Sequence, residues 1–502
     1  MRSRLLHLTA AILLVLGIGP VAAAVPSVPV LMTDNVELVG FLPEASVVAV
    51  TFDPVKPVMY TTTLSGFRTY DISEPTLPVP LGYLPFPHFS NENIKLGVRD
   101  DGTRLVLAGF DLVGYSPEAG ATNTRGSQRF VVIDVTDATD PSVAASVNTT
   151  TRTHTMGCAN DACTHAYTSG SGNAFQVYDL TDIKAPKLVN TVESIQGRNT
   201  TFRGGIGHDW DVDDAGVAWL VGTGGITAFD VTDAANPRIL NHSDHRSRDA
   251  KLNRYVSHNS QRPDALEFTT RETDEILPAD TDSFELEDRG VEDLRAGEVL
   301  FVTEEDLSSD PRCTNRGGFQ AWHVQELDAE RYDALNPAGP DGREPDVGTI
   351  SPIGFWSTEA AEVDDPVAAA DVGAFCSAHY FDVHDSGIVA HAWYQQGLRF
   401  LDARDPSNIV QIGYFITGAQ EIFGAKWVPE YDAQGVQTGA KTNILYTEDP
   451  SRGVEILRVD LPSEDEQPEP VRAPILPEWR IKGAELAARQ TSPGFGLACL
   501  LP

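Results

Sequence analysis

The chain has 502 residues, 37 of them basic and 72 acidic, for a formal net charge of −35. Such an excess of acid repels nucleic acid and anionic lipid surfaces and argues against both as partners; its plainest role is to solvate a surface. The length suits several ordinary domains or one large β-barrel or propeller, so internal repetition decides between them.

The chain opens "MRSRLLHLTAAILLVLGIGPVAAAVP": two arginines, an apolar run from Leu8 to Ile18, then Ala22, Ala23 and Ala24. This pattern predicts a signal peptide over residues 1–24, cut after about Ala24. No cysteine follows the cut to carry a lipid, and the apolar run is too short to prefer spanning a membrane. The expectation is an exported chain without a transmembrane segment, secreted, periplasmic or at the cell surface. Losing Arg2 and Arg4 takes the charge to −37.

A short motif then recurs: "GFRTYDISEP" from Gly66, "RFVVIDVTDATDP" from Arg129, "AFQVYDLTDIKAP" from Ala174, "GITAFDVTDAANP" from Gly225 and "GLRFLDARDP" from Gly397. Two weaker copies, "GFQAWHV" from Gly318 and "GVEILRVDLP" from Gly453, carry His323 and Arg458 in place of the aspartate. Each copy alternates apolar and polar residues and stops at a turn, the pattern of a half-buried strand. A strand such as "VAWLVG" precedes it, an acidic glycine turn such as "VDDAG" or "VHDSG" comes before that, and a fourth strand such as "PKLVNTV" follows. Four strands per repeat and about seven repeats predict an all-β fold, a seven-bladed β-propeller of four-stranded blades.

The last copy lacks a fourth strand, whereas "VELVGFL" at residues 36–42 has no repeat before it and matches "PLGYL" and "VQIGYF". The N-terminal strand is therefore expected to close the last blade.

On "FVVIDVTDATDP", "FQVYDLTDIKAP" and "ITAFDVTDAANP" the chain resembles the LVIVD-repeat family over residues 34–462. That resemblance implies a propeller of exported bacterial and archaeal proteins and is nearly silent on activity. More faintly, the histidine-bearing segments are similar to those of selenium-binding, methanethiol-oxidase propellers, without an extended motif match.

Three stretches break the period. Residues 259–296 and 326–372 read as acidic insertions, and residues 463–502 as a poorly ordered tail with a short helix around "KGAELAARQ". Five cysteines in an exported chain point to oxidation. Cys158 and Cys163 bracket the turn "ANDA", Cys313 and Cys376 are the next candidates, three pairings of the four remain open, and Cys499 is left over. A competing reading takes His154, Cys158, Cys163 and His165 as a zinc set, although the spacing departs from the usual structural pattern.

The histidines carry the chemistry. His208 and His379 each stand eight residues before a turn glycine, Gly216 or Gly387, and three before Asp211 or Asp382. His154 in "HTMGC" and His258 in "YVSHNSQ" hold the corresponding place at the start of a first strand. First strands line the channel of a propeller, so these four imidazoles should converge near one rim and could bind zinc, copper or iron. The bland reading makes each one a bond to the backbone of the next blade.

Loops joining second and third strands should crowd the same mouth. Glu304, Glu305 and Asp306 there offer a carboxylate ligand or a general base against the plainer reading of a solvated loop. Arg203 is a weak candidate for orienting an anionic substrate. His384 should lie at the opposite end and His391 in a second strand; His88, His242, His245 and His323 read as ordinary. No dinucleotide fingerprint, phosphate loop, HExxH or nucleophile elbow appears, and no specific loop pattern supports calcium. Two functions remain: an extracellular binding or surface-interaction module for an unknown protein or small-molecule ligand, and a metal-dependent enzyme, plausibly an oxidoreductase, with His154, His208, His258 and His379 as ligands.

Overall fold

The computed structural model describes residues 30–474 apart from 43–46, 64, 86–89, 111–128, 152, 170–173, 196–205, 244–255, 271–291, 306–316, 338–347, 360–376 and 418–420. All seven copies of the motif are third strands of antiparallel sheets: Gly66–Asp71, Arg129–Asp134, Ala174–Asp179, Gly225–Asp230, Gly318–His323, Leu398–Asp402 and Val454–Val459. Their terminal aspartates stop the strand by a local mechanism. Asp71, Asp134, Asp179 and Asp230 each accept the N–H two residues on, at 2.7–3.0 Å, which bends the chain into an Asx turn. A second aspartate three residues later does the same at Asp137, Asp182 and Asp233.

The first strands are Val47–Phe52, Ser90–Val98, Met156–Cys158, Gly207–Val212, Val256–Gln261, Phe381–Val383 and Gly424–Tyr431, for blades 1 to 7. Each packs beside the next, and the seventh packs beside the first, which closes a ring around a central axis. One apolar layer fills each gap between neighbouring blades. Tyr60 and Phe67 of blade 1 meet Val106 and Val131 of blade 2, and so on around to Tyr446 and Ile456 of blade 7 against Met59 and Tyr70 of blade 1. Because both faces of a blade are covered, motif strands such as Phe130–Val131–Val132–Ile133 are buried without interruption. Ion pairs tie the lower turns across the gaps: Arg104 to Asp53 at 2.8 Å, Arg262 to Asp213 at 2.7 Å and Lys441 to Asp382 at 3.0 Å.

The seven four-stranded blades and the closure are as the sequence predicts: Val36–Leu42 pairs antiparallel with Val454–Val459 as the outermost strand of blade 7. The structure adds Val30–Met32, which pairs with Val410–Thr417 and makes blade 6 five-stranded.

Both expected insertions contain parts of the ring. Residues 259–261 belong to the first strand of blade 5, and Phe268–Thr270 pairs with Glu292–Leu294 as a small ribbon. Within 326–372 lie a helix, Ala329–Leu335, capped by Asp328, and the fourth strand of blade 5, Ser351–Trp356. That strand was hidden because an unusually long connection separates it from the third. The start of the tail is likewise packed: Val471 exchanges hydrogen bonds with Gln411 at 2.9 Å, and Arg404 donates to the carbonyls of Ser463, Glu464 and Glu466. The helix expected around residues 482–490 lies outside the described residues, as do Cys313, Cys376 and Cys499. Among the described residues no helix is long and apolar enough to cross a membrane.

Candidate metal centre

A propeller strand alternates its side chains between the two faces of the blade, so a residue reaches the axis only where that alternation is broken. The first strands break it with β-bulges. The pairing register slips between Gly207 and Asp209, and again between Ser257 and Asn259, leaving His208 and His258 as the extra residues. In blade 2 the slip spans Ser90 to Ile94 and includes Glu92. In blades 3 and 6 the residue sits just before the strand, and its N–H still bonds the second strand, His154 to Ser169 at 3.1 Å and His379 to Ala392 at 2.9 Å.

Four imidazoles are thereby gathered around one carboxylate in the core. Glu92 Oε2 lies 3.6 Å from His154 Nε2, 3.8 Å from His208 Nε2, 3.4 Å from His258 Nε2 and 3.5 Å from His379 Nε2. His154 Nε2 and His208 Nε2 are 2.9 Å apart. All five residues are at most 3 % exposed. Two donors held about 2.1 Å from one ion are separated by about 3.0 Å at a right angle and about 3.4 Å at a tetrahedral one. The observed distances run from 2.9 to 3.8 Å, and Glu92 with His258 and His379, and Glu92 with His154 and His208, each form a group close enough to hold an ion.

The remaining ring nitrogens fix which atoms face inward. His208 Nδ1 is 2.8 Å from the carbonyl of His258, and His379 Nδ1 is 2.5 Å from that of Phe423, so each Nδ1–H donates to the next blade. This leaves the Nε2 lone pair pointing at the cluster. The bond to a neighbouring backbone, offered above as the bland reading, is thus what aims the imidazole. Ser169 Oγ donates at 2.8 Å to the carbonyl of His208 and anchors that segment in turn.

Electrostatics keep the donors in binding form. Burial and the neighbouring His258 and His154 hold His208 far below its ordinary value. Burial, then His379, pushes His258 down to about 3. For Glu92, burial pulls upward, but His379 and the hydrogen bonding of His154, His258 and His379 outweigh it and hold the carboxyl well below the usual range. His208 and His258 as neutral imidazoles beside an ionised Glu92 are donors that need no deprotonation near neutral pH.

Of the two acidic candidates on the second strand of blade 5, alternation sends one inward and one aside. Glu305 Oε2 is 3.7 Å from His258 Nε2, and its Oε1 accepts a hydrogen bond from Tyr394 Oη at 2.5 Å. Glu304 accepts a hydrogen bond from Gln320 Nε2 at 3.1 Å. Arg203 and Asp306 lie outside the described residues. Glu92 was missed by the sequence reading; its signal was an acid at the start of the first strand of blade 2, where no histidine stood.

The competing zinc set is overturned. Cys158 and Cys163 form a disulfide, His154 belongs to the axial cluster, and His165 rests beside Thr164 Oγ1 at 3.2 Å. His391, in its second strand, contacts Thr303 Oγ1 at 2.9 Å, while His384 lies in the turn at the far end against Ser386 Oγ at 3.0 Å.

No model of a known protein family and no curated protein matches the sequence. Among solved structures, the chain is similar to the β-propeller domain of Myceliophteria thermophila Cps50 (Swd1), with 12 % identity and a TM-score of 0.46 over 84 % of this chain and 99 % of that one.

Proposed function

We propose that the chain binds one transition-metal ion on Glu92, His154, His208, His258 and His379 and works as a metal-dependent oxidoreductase. Glu92, buried and within 3.8 Å of four buried imidazole Nε2 atoms from the next four blades, and shared by two three-donor groups close enough to hold an ion, carries this reading. Structural zinc takes four ligands and catalytic zinc keeps three, so five donors suit a six-coordinate ion better. Imidazole favours iron, copper or nickel, and the added carboxylate tips the set toward iron, with one position left for a substrate. Glu305, held by Tyr394, stands beside that position as a proton acceptor. A bound redox metal would supply electron transfer; the protein orients the donors and keeps water from them.

The same proposal takes the chain as exported, on the strength of its opening residues and of the Cys158–Cys163 disulfide, and as a relative of the LVIVD-repeat proteins on its third-strand motifs. A β-propeller is also a general interaction scaffold, and a second reading as a binding module is favoured by apolar residues exposed on outer strands, Val79, Tyr83, Val143, Leu188 and Val189.

Elemental analysis of protein purified without a metal-affinity tag separates the two. Near-stoichiometric iron or copper that falls to background in H208A and H379A supports the metal centre. Metal-free protein that takes up no ion on reconstitution, with stability unchanged in both variants, leaves the interaction module.

A further inference from the structure

The five donors occupy five of seven equivalent places, and the other two show what the open position accepts. In blade 1 the register slips between Val47 and Ala49, so Val48 is the bulged residue, as His208 and His258 are in theirs. In blade 7 the carbonyl of Phe423 accepts the Nδ1–H of His379 just as the carbonyl of His258 accepts that of His208. The N–H of Phe423 bonds the second strand at Glu448, the arrangement seen at His154 and His379. Around the axis the ring therefore reads Val48, Glu92, His154, His208, His258, His379, Phe423.

The two apolar members are adjacent because blade 7 closes on blade 1. Val48 and Phe423 pack with Tyr394 in a small cluster of their own, all three with no exposed surface. That cluster lies against the donors: the His379 ring centroid is 4.4 Å from that of Tyr394 and 4.9 Å from that of Phe423. The hydroxyl of Tyr394 is turned to Glu305, so its ring, not its polar end, lines this side. Tyr394 holds φ at 39°, in the left-handed region that a bulky residue seldom adopts, and the strain is offset by that hydrogen bond and by a bridge to Ile422.

We propose that the open position of the centre is a binding site for a small uncharged molecule, a neutral diatomic such as dioxygen, bounded by Val48, Phe423 and Tyr394. A charged ligand would leave water for the apolar side chains of Val48, Phe423 and the Tyr394 ring, with Glu305 the polar neighbour and already bonded to Tyr394, a cost that a neutral diatomic does not bear. Glu92 already supplies one negative charge to the ion, which further disfavours an anion. The inference rests on the metal reading.

The test uses the full chain loaded with iron(II) under argon, metal content measured first, then titration with nitric oxide as the neutral probe and azide as the anionic one, followed by electron paramagnetic resonance and absorbance. One nitric oxide adduct per iron is expected, undisturbed by excess azide. V48F should keep the iron and bind nitric oxide about tenfold more weakly or worse. V48H, which offers a sixth donor, should keep the iron and form no adduct. Should either fail to fold, V48A should keep the iron and admit ethyl isocyanide, which the wild type excludes. Full iron with azide bound as tightly as nitric oxide, or adducts unchanged in the folded Val48 variants, overturns this inference alone. Wild-type protein that takes up no iron overturns the centre and this inference with it.

Discussion

Glu92 and Glu305 are both buried carboxylates facing the same imidazoles, yet their partners separate their roles. Glu92 is within 3.8 Å of four Nε2 atoms, whereas Glu305 is grouped with His208 and His258 alone and has its other oxygen bonded to Tyr394. E92Q should therefore weaken metal affinity by at least about tenfold, while E305Q leaves metal content intact, as read by competition against a chelator of known affinity. Glu421, near the start of blade 7, is a different case. Burial, partly offset by Ser451, raises its carboxyl from the ordinary 4.5 to about 7. Its folded value lies above its unfolded one, so the fold is favoured below about pH 4.5 and loses that advantage as pH rises through 7. E421Q, which cannot ionise, should match wild type in thermal stability at pH 5 and exceed it at pH 8, by up to about 3 kcal/mol. At this scale the histidines were legible because His208 and His379 keep one spacing to a turn glycine. Glu92 was not: it is ten residues before Gly102 rather than eight, since its bulge is longer, and it is one of 72 acidic residues.

Between strands, turn chemistry decided what could be read. The third strands announced themselves because alternation and two Asx turns coincide in one short motif. The fourth strand of blade 5 did not, because the connection that delivers it carries a helix and departs from the period. The hairpin of blade 3 is closed covalently by Cys158 and Cys163, five residues apart. A loop that short restricts the unfolded chain modestly, so C158S/C163S should lose about 2 kcal/mol in oxidising buffer and nothing further on reduction, by thermal melts with and without reductant. The outer strands at the N-terminus matter more. Deleting residues 30–42 uncovers the edges of blades 6 and 7 together and should lower and broaden the unfolding transition; an unchanged cooperative melt would contradict the observed pairing.

Taken as a whole, the molecule gathers side chains of blades 2 to 6 around the Glu92 carboxylate, so an ion bound there would hold several sheets at once. Because the unfolded chain has no such site, metal bound at a hundredfold excess over its dissociation constant adds about 3 kcal/mol. Extraction by a chelator should lower the melting temperature of wild type by a few degrees and leave H208A unmoved, by calorimetry. The wheel itself could be inferred from repetition, since seven similar units cannot each bury both faces except against one another. The meeting of Glu92 with the histidines could not, because it depends on bulges that leave no mark on composition.

Joining residues 36–42 to 454–459 has a cost in time. The first strands to leave the ribosome wait, unpaired, until nearly the entire polypeptide has been made, and closing so wide a loop is the slowest kind of contact to form. A circularly rearranged gene that begins at blade 1 and carries residues 36–42 after the last blade would complete blade 7 from neighbouring sequence. Such a protein should reach the same ring sooner, which makes the order of synthesis, rather than any side chain, the factor that sets how quickly the circle shuts.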